Sequence, residues 1–388
     1  MIRNVLVVPA ALIAFVVPAA AQKPPVQRSA LHDYRVVTVA DSLENPWSIT
    51  FLPGGDMLFT ERSGRLRIVR KGKLLPEPVA GVPKVRGGGQ GGLLEVLPHP
   101  SFAANRMLYL SYAKTSADTM QGTTAVVRAK LENDRLTDVH EIFEAKVWSA
   151  GRGHHGSRLA FDRDGFLFIT LGDRQVPPSG NLEAHPAQDL SNHFGKIIRL
   201  HDDGRVPTDN PFVSRPGALP EIWSYGHRNV QGFAIHPETG DVWATEHGPQ
   251  GGDELNLIQP GKNYGWPVIG FGVNYRSGAA IHSGTHREGM EQPVNVWVPS
   301  IATSGLLFYT GDKFPQWKNS LFVGGMNGEV LSRLTMDGKR VMSEEKLVQR
   351  MGRIRDVRQG PDGYIYLAID HRGGNKTPIL RLEPVRRN

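Results

Sequence analysis

The stretch RLAFDRDGFLFI, residues 158–169, contains two short apolar segments on either side of the turn DRDG at residues 162–165. Apolar segments that alternate with period two around a turn rich in Asp and Gly are typical of a β-hairpin. The same arrangement recurs five more times along the chain. The first apolar segments of the six copies occupy residues 47–51, 93–97, 158–161, 232–235, 306–309 and 355–357.

Six copies of one hairpin, at spacings of roughly 45 to 75 residues, indicate a repeat architecture. Further strand-like segments follow the hairpins, for example at residues 64–69, 124–131 and 196–200, and no long stretch has helical periodicity. A β-sandwich or a β-helix would not need the same hairpin six times. The sequence therefore predicts an all-β fold, a six-bladed β-propeller with four-stranded antiparallel blades around a central channel.

The N-terminus has the pattern of a secretory signal peptide. Arg3 precedes an apolar run over residues 5–17, and small residues then lead to an expected cleavage site after Ala21. The run is too short for a membrane span, and no later segment comes near the required length. We expect a signal peptide over residues 1–21, one propeller domain over residues 22–388, and a periplasmic or secreted protein without membrane insertion. An uncleaved N-terminal anchor is the alternative.

The composition excludes several cofactors and partners. The chain has no cysteine, so disulfides, iron–sulfur clusters and thiolate zinc sites are excluded. Its 45 Lys and Arg against 38 Asp and Glu give a formal net charge of +7, but both signs alternate along the chain. Because nucleic-acid-binding proteins usually gather basic residues in one patch, we expect no nucleic-acid partner, and a small anionic ligand suits this charge equally well.

The residues just before the first strand of each hairpin are mostly polar. Equivalent positions of a propeller lie on one ring at one face, so we expect these side chains to converge near the axis. Channel-lining groups that only bind water are the alternative. The ring positions are Asn45, Gln90, His155 with His154 beside it, Asn229, Ala302 and Arg353.

Glycines flank two adjacent histidines in the segment GRGHHGSR, residues 151–158. Glycine lets backbone and ligand approach closely, and a histidine at a channel mouth is a suitable general base near neutral pH. Adjacent strand residues point to opposite faces, so we expect only one of His154 and His155 to face a ligand. Zinc binding is the alternative, although matched ligands are lacking nearby.

Arginines and a glycine-rich loop supply further candidates. Arg228 offers donors for a carboxylate or a developing oxyanion. Arg353 and Arg355 share one strand face, as a dianionic ligand would require, although the neighbouring Asp356 could make them an ordinary salt-bridged set. The loop EHGPQGGDE, residues 246–254, provides carboxylates and carbonyls of the kind that calcium binds, but it does not match an EF-hand.

Longer motifs follow one another along the chain, namely GQGGLL (89–94), HHGSRL (154–159), GKIIRL (195–200), DGRVPTDNPF (203–212), GHRN (226–229), EHGP (246–249), GGDELN (251–256), NYGWP (263–267) and RIRDV (353–357). Together they resemble the soluble quinoprotein glucose/sorbosone dehydrogenase family. The resemblance covers nearly the whole mature chain and is closer to the shorter aldose sugar dehydrogenases than to the longer glucose-specific enzyme. It implies two cofactors, pyrroloquinoline quinone (PQQ) and Ca²⁺.

The resemblance also implies a role for each matching residue. His154 is the catalytic base by the motif, although the hairpin register places His155 in the ring, and Arg228 stabilises charge on the quinone oxygen. The quinone and its carboxylates are held by Gln90, Asn229, Arg353 and Arg355. The carbonyls of Gly248 and Pro249 bind the calcium that contacts the cofactor, and Glu254 and the carbonyl of Tyr264 bind a second, structural calcium.

Three positions depart from the family pattern. Gly153 stands where the glucose-specific enzyme has an aspartate before its catalytic histidine, so the base must be oriented otherwise. Asn327 falls near the position of a cofactor-binding lysine of the family, so this chain lacks that positive charge. Val298 stands where a tryptophan lines the sugar pocket, which leaves that pocket more open.

The expected function is that of a periplasmic quinoprotein that oxidises the anomeric carbon of aldose sugars to lactones by hydride transfer to PQQ. The small-molecule substrate is an aldose, and the sequence does not identify the electron acceptor. One alternative is a calcium-dependent propeller lactonase or esterase, which predicts a channel lined by carboxylates and asparagines rather than by arginines. The other is a non-catalytic sugar-binding propeller, whose function would survive replacement of His154.

Overall fold

A computed structural model gives the fold of residues 23–374 and 376–386. The predicted signal peptide, residues 1–21, lies outside the described residues. No helix among the described residues has the length and apolar character needed to cross a bilayer.

The described residues form six four-stranded antiparallel sheets, which confirms the predicted fold. The chain opens with β1 (Asp33–Leu43) and then builds five complete blades from β2–β5 (Pro46–Phe51, Met57–Glu61, Arg65–Arg70, Lys73–Leu74), β6–β9 (Leu93–Pro98, Met107–Thr115, Gly122–Glu132, Arg135–Glu144), β10–β13 (Leu159–Phe161, Leu167–Thr170, Lys196–Leu200, Ile222–Tyr225), β14–β17 (Val230–Ile235, Val242–Glu246, Asp253–Ile258, Asn295–Trp297) and β18–β21 (Thr303–Phe308, Leu321–Gly325, Val330–Asp337, Arg340–Leu347). The sixth blade contains β22–β24 (Arg353–Gln359, Ile365–Asp370, Thr377–Val385). Among the described residues, helix is limited to α1 (Phe102–Asn105) and the 3₁₀ turns Leu182–Ala184, Pro186–Gln188 and Pro315–Trp317.

The ring is closed by the first strand of the chain. Strand β1 pairs antiparallel with β24 from Asp33 opposite Val385 to Leu43 opposite Thr377, so both ends of the domain share one blade. The first strands of consecutive blades contact one another around the ring, and β22 contacts β2. The first strand of each blade is therefore the innermost, and its N-terminal end faces the same mouth of the channel in every blade.

Two kinds of packing hold the blades together. Apolar side chains that alternate along the strands fill the spaces between sheets, as where Tyr309, Phe314 and Trp317 pack as one fully buried group between the fifth and sixth blades. Across the channel, buried Arg158 contacts Glu95 at 3.1 Å and Asp356 at 2.9 Å. Removing one partner of such a buried pair leaves the other charge buried and unpaired, which typically lowers the free energy of unfolding by about 3–5 kcal/mol.

Candidate active site

Two adjoining cavities open at one mouth of the channel. The larger has a volume of about 460 Å³ and contains four arginines among its lining side chains. The smaller, of about 320 Å³, is lined by His154, Asp173, Arg228 and Trp266 among others. The residues common to both linings are Gln90, His247, Pro249 and Tyr275.

The residues of the predicted ring lie at this mouth to different degrees. Gln90, Ala302 and Arg353 line the larger cavity. Asn45 lies one layer behind it, where its amide donates to the carboxylate of Asp370, a lining residue. Asn229 is fully buried, and its Oδ1 accepts from the backbone N–H of Gly156 at 3.2 Å.

The two histidines lie in an irregular segment and not in a strand, because β10 begins only at Leu159. The expectation based on strand alternation was therefore wrong in its premise. His154 has φ +48° and lines the smaller cavity, whereas His155 is buried against the hydroxyl of Thr124, 3.3 Å from its Nδ1. The segment passes so close to Gly172 that a Cβ there would overlap the carbonyl of His154.

Hydrogen bonds fix the orientation of the His154 ring. Its Nδ1 lies 2.6 Å from Oδ1 of Asp173, and Oδ2 of the same carboxylate accepts from Nε1 of Trp266 at 2.8 Å. The side-chain oxygen of Gln90 accepts from the backbone N–H of His154 at 2.8 Å. A proton on Nδ1, shared with an ionised carboxylate, leaves Nε2 as the basic nitrogen.

The surroundings of His154 act on its pKa in opposite directions. Burial lowers the pKa of His154, Asp173 raises it, and Arg228 lowers it again, with a net decrease. For Asp173, burial raises the pKa, but the interactions with His154 and Arg228 outweigh burial and the net pKa is lowered. The pair is thus a charged carboxylate beside a neutral imidazole near neutral pH.

Arg228 is positioned by its own backbone and by aromatic contact. Its backbone N–H donates to Glu246 at 2.7 Å, and its Nη1 donates to the carbonyl of His247 at 3.1 Å. The guanidinium lies over the ring of Trp266, 5.1 Å from the centroid. Arg228 lines the same cavity as His154, and its positive charge lowers the pKa of that histidine.

Arg353 and Arg355 both line the larger cavity. Arg355 pairs with Asp370 at 3.2 Å and donates to Gln231 at 2.9 Å, and burial lowers its pKa to about 10. Asp356 instead pairs with Arg158 and Arg358, each at 2.9 Å. The alternative in which Asp356 neutralises the two cavity arginines is therefore wrong.

Comparison with known proteins identifies the family. The family model described as "Glucose / Sorbosone dehydrogenase" matches residues 43–381. This chain belongs to the glucose/sorbosone dehydrogenase family. It is 43% identical over 355 residues to aldose sugar dehydrogenase YliI of Escherichia coli, which covers 90% of this chain and 92% of that protein.

Solved structures with the same fold include two aldose sugar dehydrogenases. The soluble aldose sugar dehydrogenase of Escherichia coli, solved in its apo form, matches with a TM-score of 0.85 at 42% identity, over 91% of this chain and 100% of that one. The PQQ-bound aldose sugar dehydrogenase of Streptomyces coelicolor matches with a TM-score of 0.72 at 29% identity, over 93% and 100%.

The residues expected to bind calcium lie in and around strand β16: Gly248 and Pro249 in the loop before it, Glu254 within it and Tyr264 after it. Gly248 and Pro249 line the larger cavity and also a separate cavity of about 20 Å³. That small cavity is further lined by Glu246, Glu254 and Tyr264, and Glu246 and Glu254 are direct partners across the two strands. Burial and the adjacent Glu246 raise the pKa of Glu254. No group of three or more His, Asp or Glu side chains within residues 23–374 and 376–386 has a metal-binding arrangement.

The three departures from the family pattern have distinct surroundings. Asp173 supplies the carboxylate on the ring of His154 that Gly153 cannot provide. Asn327 lines the larger cavity and accepts from Nη2 of Arg372 at 3.2 Å. Val298 is 68% exposed and precedes Pro299, a lining residue of the larger cavity.

Sequence reasoning missed several residues of the site. Five lining residues had no predicted role, and each lines at least one of the two cavities. They are Asp173, His247, Trp266, Arg62 and Arg372. His247 donates from Nε2 to the carbonyl of Thr303 at 2.6 Å, and burial, with Arg228, lowers its pKa to about 3. Trp266 lies within the NYGWP motif, which contributed to the family resemblance, but no role was predicted for this residue.

Proposed function

We propose that this chain is an aldose sugar dehydrogenase that oxidises the anomeric carbon to a lactone with PQQ and Ca²⁺ as cofactors. Family membership supports dehydrogenase chemistry. The observation that carries the proposal is the geometry of His154, whose ring is fixed by Asp173 at the wall of one cavity while an arginine-rich cavity adjoins it. A base beside an anion-binding cavity suits a sugar and an anionic redox cofactor.

The residues of the larger cavity fit PQQ, a tricarboxylate with quinone oxygens. Several buried side-chain donors around the two cavities have no hydrogen-bond partner in the described part of the chain. They are Arg62 Nε, Arg228 Nε, Asn229 Nδ2, Arg353 Nε and Arg355 Nε. Buried donors are normally paired, so a set of unpaired donors favours a ligand rich in acceptors.

Each proposed catalytic residue has a definite task. Nε2 of His154 accepts the proton of the anomeric hydroxyl, and Asp173 holds the resulting imidazolium through Nδ1. Arg228 stabilises negative charge that develops beside it. When bound, PQQ supplies a quinone that takes the hydride of the anomeric carbon, and the two electrons later pass to an acceptor. Gln90, Asn229, Arg353 and Arg355 hold this cofactor.

Two calcium sites are proposed around strand β16. The carbonyls of Gly248 and Pro249 bind the ion that contacts the cofactor, and Glu254 with the carbonyl of Tyr264 binds a second one. The cavity of about 20 Å³ beside the Glu246–Glu254 pair has room for one water-sized particle. A cation there relieves the repulsion between two adjacent carboxylates, which fits the calcium preference for oxygen ligands.

Location and specificity complete the proposal. Residues 1–21 direct export to the periplasm, and cleavage after Ala21 leaves β1 intact. The exposed side chain of Val298 leaves the sugar side open, so several aldoses, including disaccharides, are accepted.

The test is reconstitution of the purified apoprotein. PQQ alone, calcium alone and both together are added after chelation, and dye-linked oxidation of aldoses is measured. We expect activity only with both, because the carbonyls of Gly248 and Pro249 would hold calcium at the wall of the cavity that would hold the cofactor. Activity that is independent of PQQ, or lactone hydrolysis by the calcium form, would support the lactonase alternative and overturn the proposal.

A further inference from the structure

Four arginines line the larger cavity, and three of them form no ion pair with the described residues. Arg62, Arg353, Arg355 and Arg372 all belong to its wall. Arg355 pairs with Asp370 at 3.2 Å. In the part of the chain that the structure describes, no carboxylate oxygen lies within 4.0 Å of the guanidinium nitrogens of Arg62, Arg353 or Arg372.

The partners of these three guanidinium groups are neutral. Nη1 of Arg62 donates to the carbonyl of Gly89 at 2.7 Å, and Nη1 of Arg353 donates to the carbonyl of Met326 at 3.2 Å. Nη2 of Arg372 donates to the side chain of Asn327 at 3.2 Å. These bonds hold the side chains in place without cancelling their charges.

The carboxylates of the cavity wall are engaged elsewhere. Asp253 accepts from the backbone N–H groups of Gly248 and Thr303, at 3.0 and 3.2 Å. Asp370 forms its ion pair with Arg355 and also interacts at longer range with Arg62 and Arg353, so one carboxylate is shared among three guanidinium groups. The cavity therefore has a clear excess of positive charge.

The unneutralised charges influence one another. Burial lowers the pKa of Arg353, Asp370 and Glu329 raise it, and Arg372 and Arg62 lower it, with a net decrease. Repulsion of this kind destabilises the unliganded protein. An anion that binds among the guanidinium groups is attracted to each of them and offsets the repulsion. An arrangement of three such charges around one cavity fits a ligand with more than one carboxylate.

We propose that Arg62 and Arg372, together with Arg353, form a carboxylate-binding subsite in the larger cavity, additional to the contact that Arg355 provides. The inference rests on the proposed function, in which the polycarboxylate is PQQ. Arg62 follows β3 in the first blade and Arg372 follows β23 in the sixth, so the subsite bridges the two blades that meet where the ring closes.

The two arginines contribute unequally. Arg62 is half-buried, and its Nε is enclosed without a partner in the described chain, so a bond to the ligand is little screened. Arg372 is exposed, and its effect is reduced by solvent and salt. We therefore expect a larger loss of binding on replacing Arg62 than on replacing Arg372.

The test measures binding and not turnover. PQQ is titrated into calcium-loaded apoprotein, and its Kd is obtained from the quenching of tryptophan fluorescence at several salt concentrations. The variants are R62Q, R372Q and R340Q. Arg340 is exposed in β21, away from the cavity, so R340Q removes the same net charge without touching the subsite.

R62Q is expected to weaken PQQ binding by about tenfold and R372Q by about threefold, with R340Q within about twofold of the unmodified chain. The salt dependence of Kd should also become shallower for R62Q and R372Q. R62K and R372K, which keep the charge, should recover part of the affinity. If R62Q and R372Q both bind PQQ as R340Q does, the subsite does not exist.

A second probe separates this inference from the proposed function. Trimesate, a planar tricarboxylate that takes no electrons, is titrated into the same proteins. If the unmodified chain binds trimesate in an Arg62-dependent manner but does not bind PQQ, the subsite stands and the quinone function fails. If neither probe binds, both fail.

Discussion

The imidazole of His154 lies between a carboxylate and a guanidinium that act on it in opposite directions. Burial and Arg228 keep its pKa below the ordinary value of 6.5, and Asp173 limits that decrease. A general base works only when it is neutral, so the lowered pKa keeps His154 competent below pH 6.5. Asp173 adds orientation, because its hydrogen bond selects the tautomer with a basic Nε2.

Replacement of Asp173 by Asn is expected to change both the rate and its pH dependence. Without the carboxylate the pKa of His154 falls further, so the acid limb of kcat shifts to lower pH. The ring also loses its fixed tautomer, which lowers kcat by about 10²-fold or more. Both effects are measured by steady-state rates between about pH 4 and pH 9, which covers the range in which histidine titrates. W266F is the matched control, because it removes the hydrogen bond from Trp266 to Asp173 and keeps the carboxylate charge. If the acid limb of D173N moves to higher pH instead, this account is contradicted.

The hairpin explains which parts of the site the sequence revealed and which it did not. In each blade the start of the first strand and the end of the second lie side by side, because the strands are antiparallel. The predicted ring of polar positions came only from residues before the first strands, and of these Gln90, Ala302 and Arg353 line the larger cavity. The residues after the second strands reach the same mouth, and they are Arg62, Asp173, His247, Asn327 and Arg372.

Other features had no local signal in the sequence. The bond between Asp173 and Trp266 joins residues 93 positions apart on different blades, and a hairpin pattern specifies no such partner. The left-handed backbone of His154 is equally hidden, and it lies where the folded chain brings Gly172 close to the carbonyl of His154. The distinction between His154 and His155 thus came from the motif rather than from the register.

The pair of glutamates on β15 and β16 leads us to expect that calcium changes the thermal stability. Glu246 and Glu254 face each other, and burial with the adjacent Glu246 raises the pKa of Glu254 to about 8. Above that pH both are ionised in the apoprotein, so E254Q should raise the apo Tm there by removing repulsion. Calcium at a hundredfold excess over Kd should stabilise the unmodified chain by about 2.7 kcal/mol and so raise its Tm. The Tm of E254Q should rise much less.

Differential scanning calorimetry with and without calcium measures this difference, and E288Q, at an exposed position, is the control. A calcium-induced rise in E254Q as large as that in the unmodified chain would place the ion elsewhere.

Closure of the whole ring depends on strand β1. Without it the sixth blade has three strands and β24 becomes an open edge. Such an edge invites pairing with other chains. Tyr34 and Leu43 of β1 are also buried, at 1% and 0% exposure, so their partners would be uncovered.

A chain that lacks residues 1–43 is therefore expected to aggregate and to lose cooperative unfolding. A chain that lacks only residues 1–21 keeps β1 and should fold normally. Size-exclusion chromatography and thermal unfolding followed by circular dichroism compare the two. Equal Tm values would show that β1 is dispensable.

The central claim is that His154 removes a proton from a sugar while bound PQQ takes the hydride. Its most direct test is the reductive half-reaction, in which the PQQ- and calcium-loaded protein is mixed with an aldose anaerobically and without an acceptor, and quinone absorbance is followed by stopped flow. We predict one lactone for each quinone reduced, with H154A slower by about 10²–10⁴-fold at unchanged PQQ affinity and H155A near the unmodified rate. Reduction by H154A at the unmodified rate, or no reduction by the loaded wild-type protein, would contradict the account.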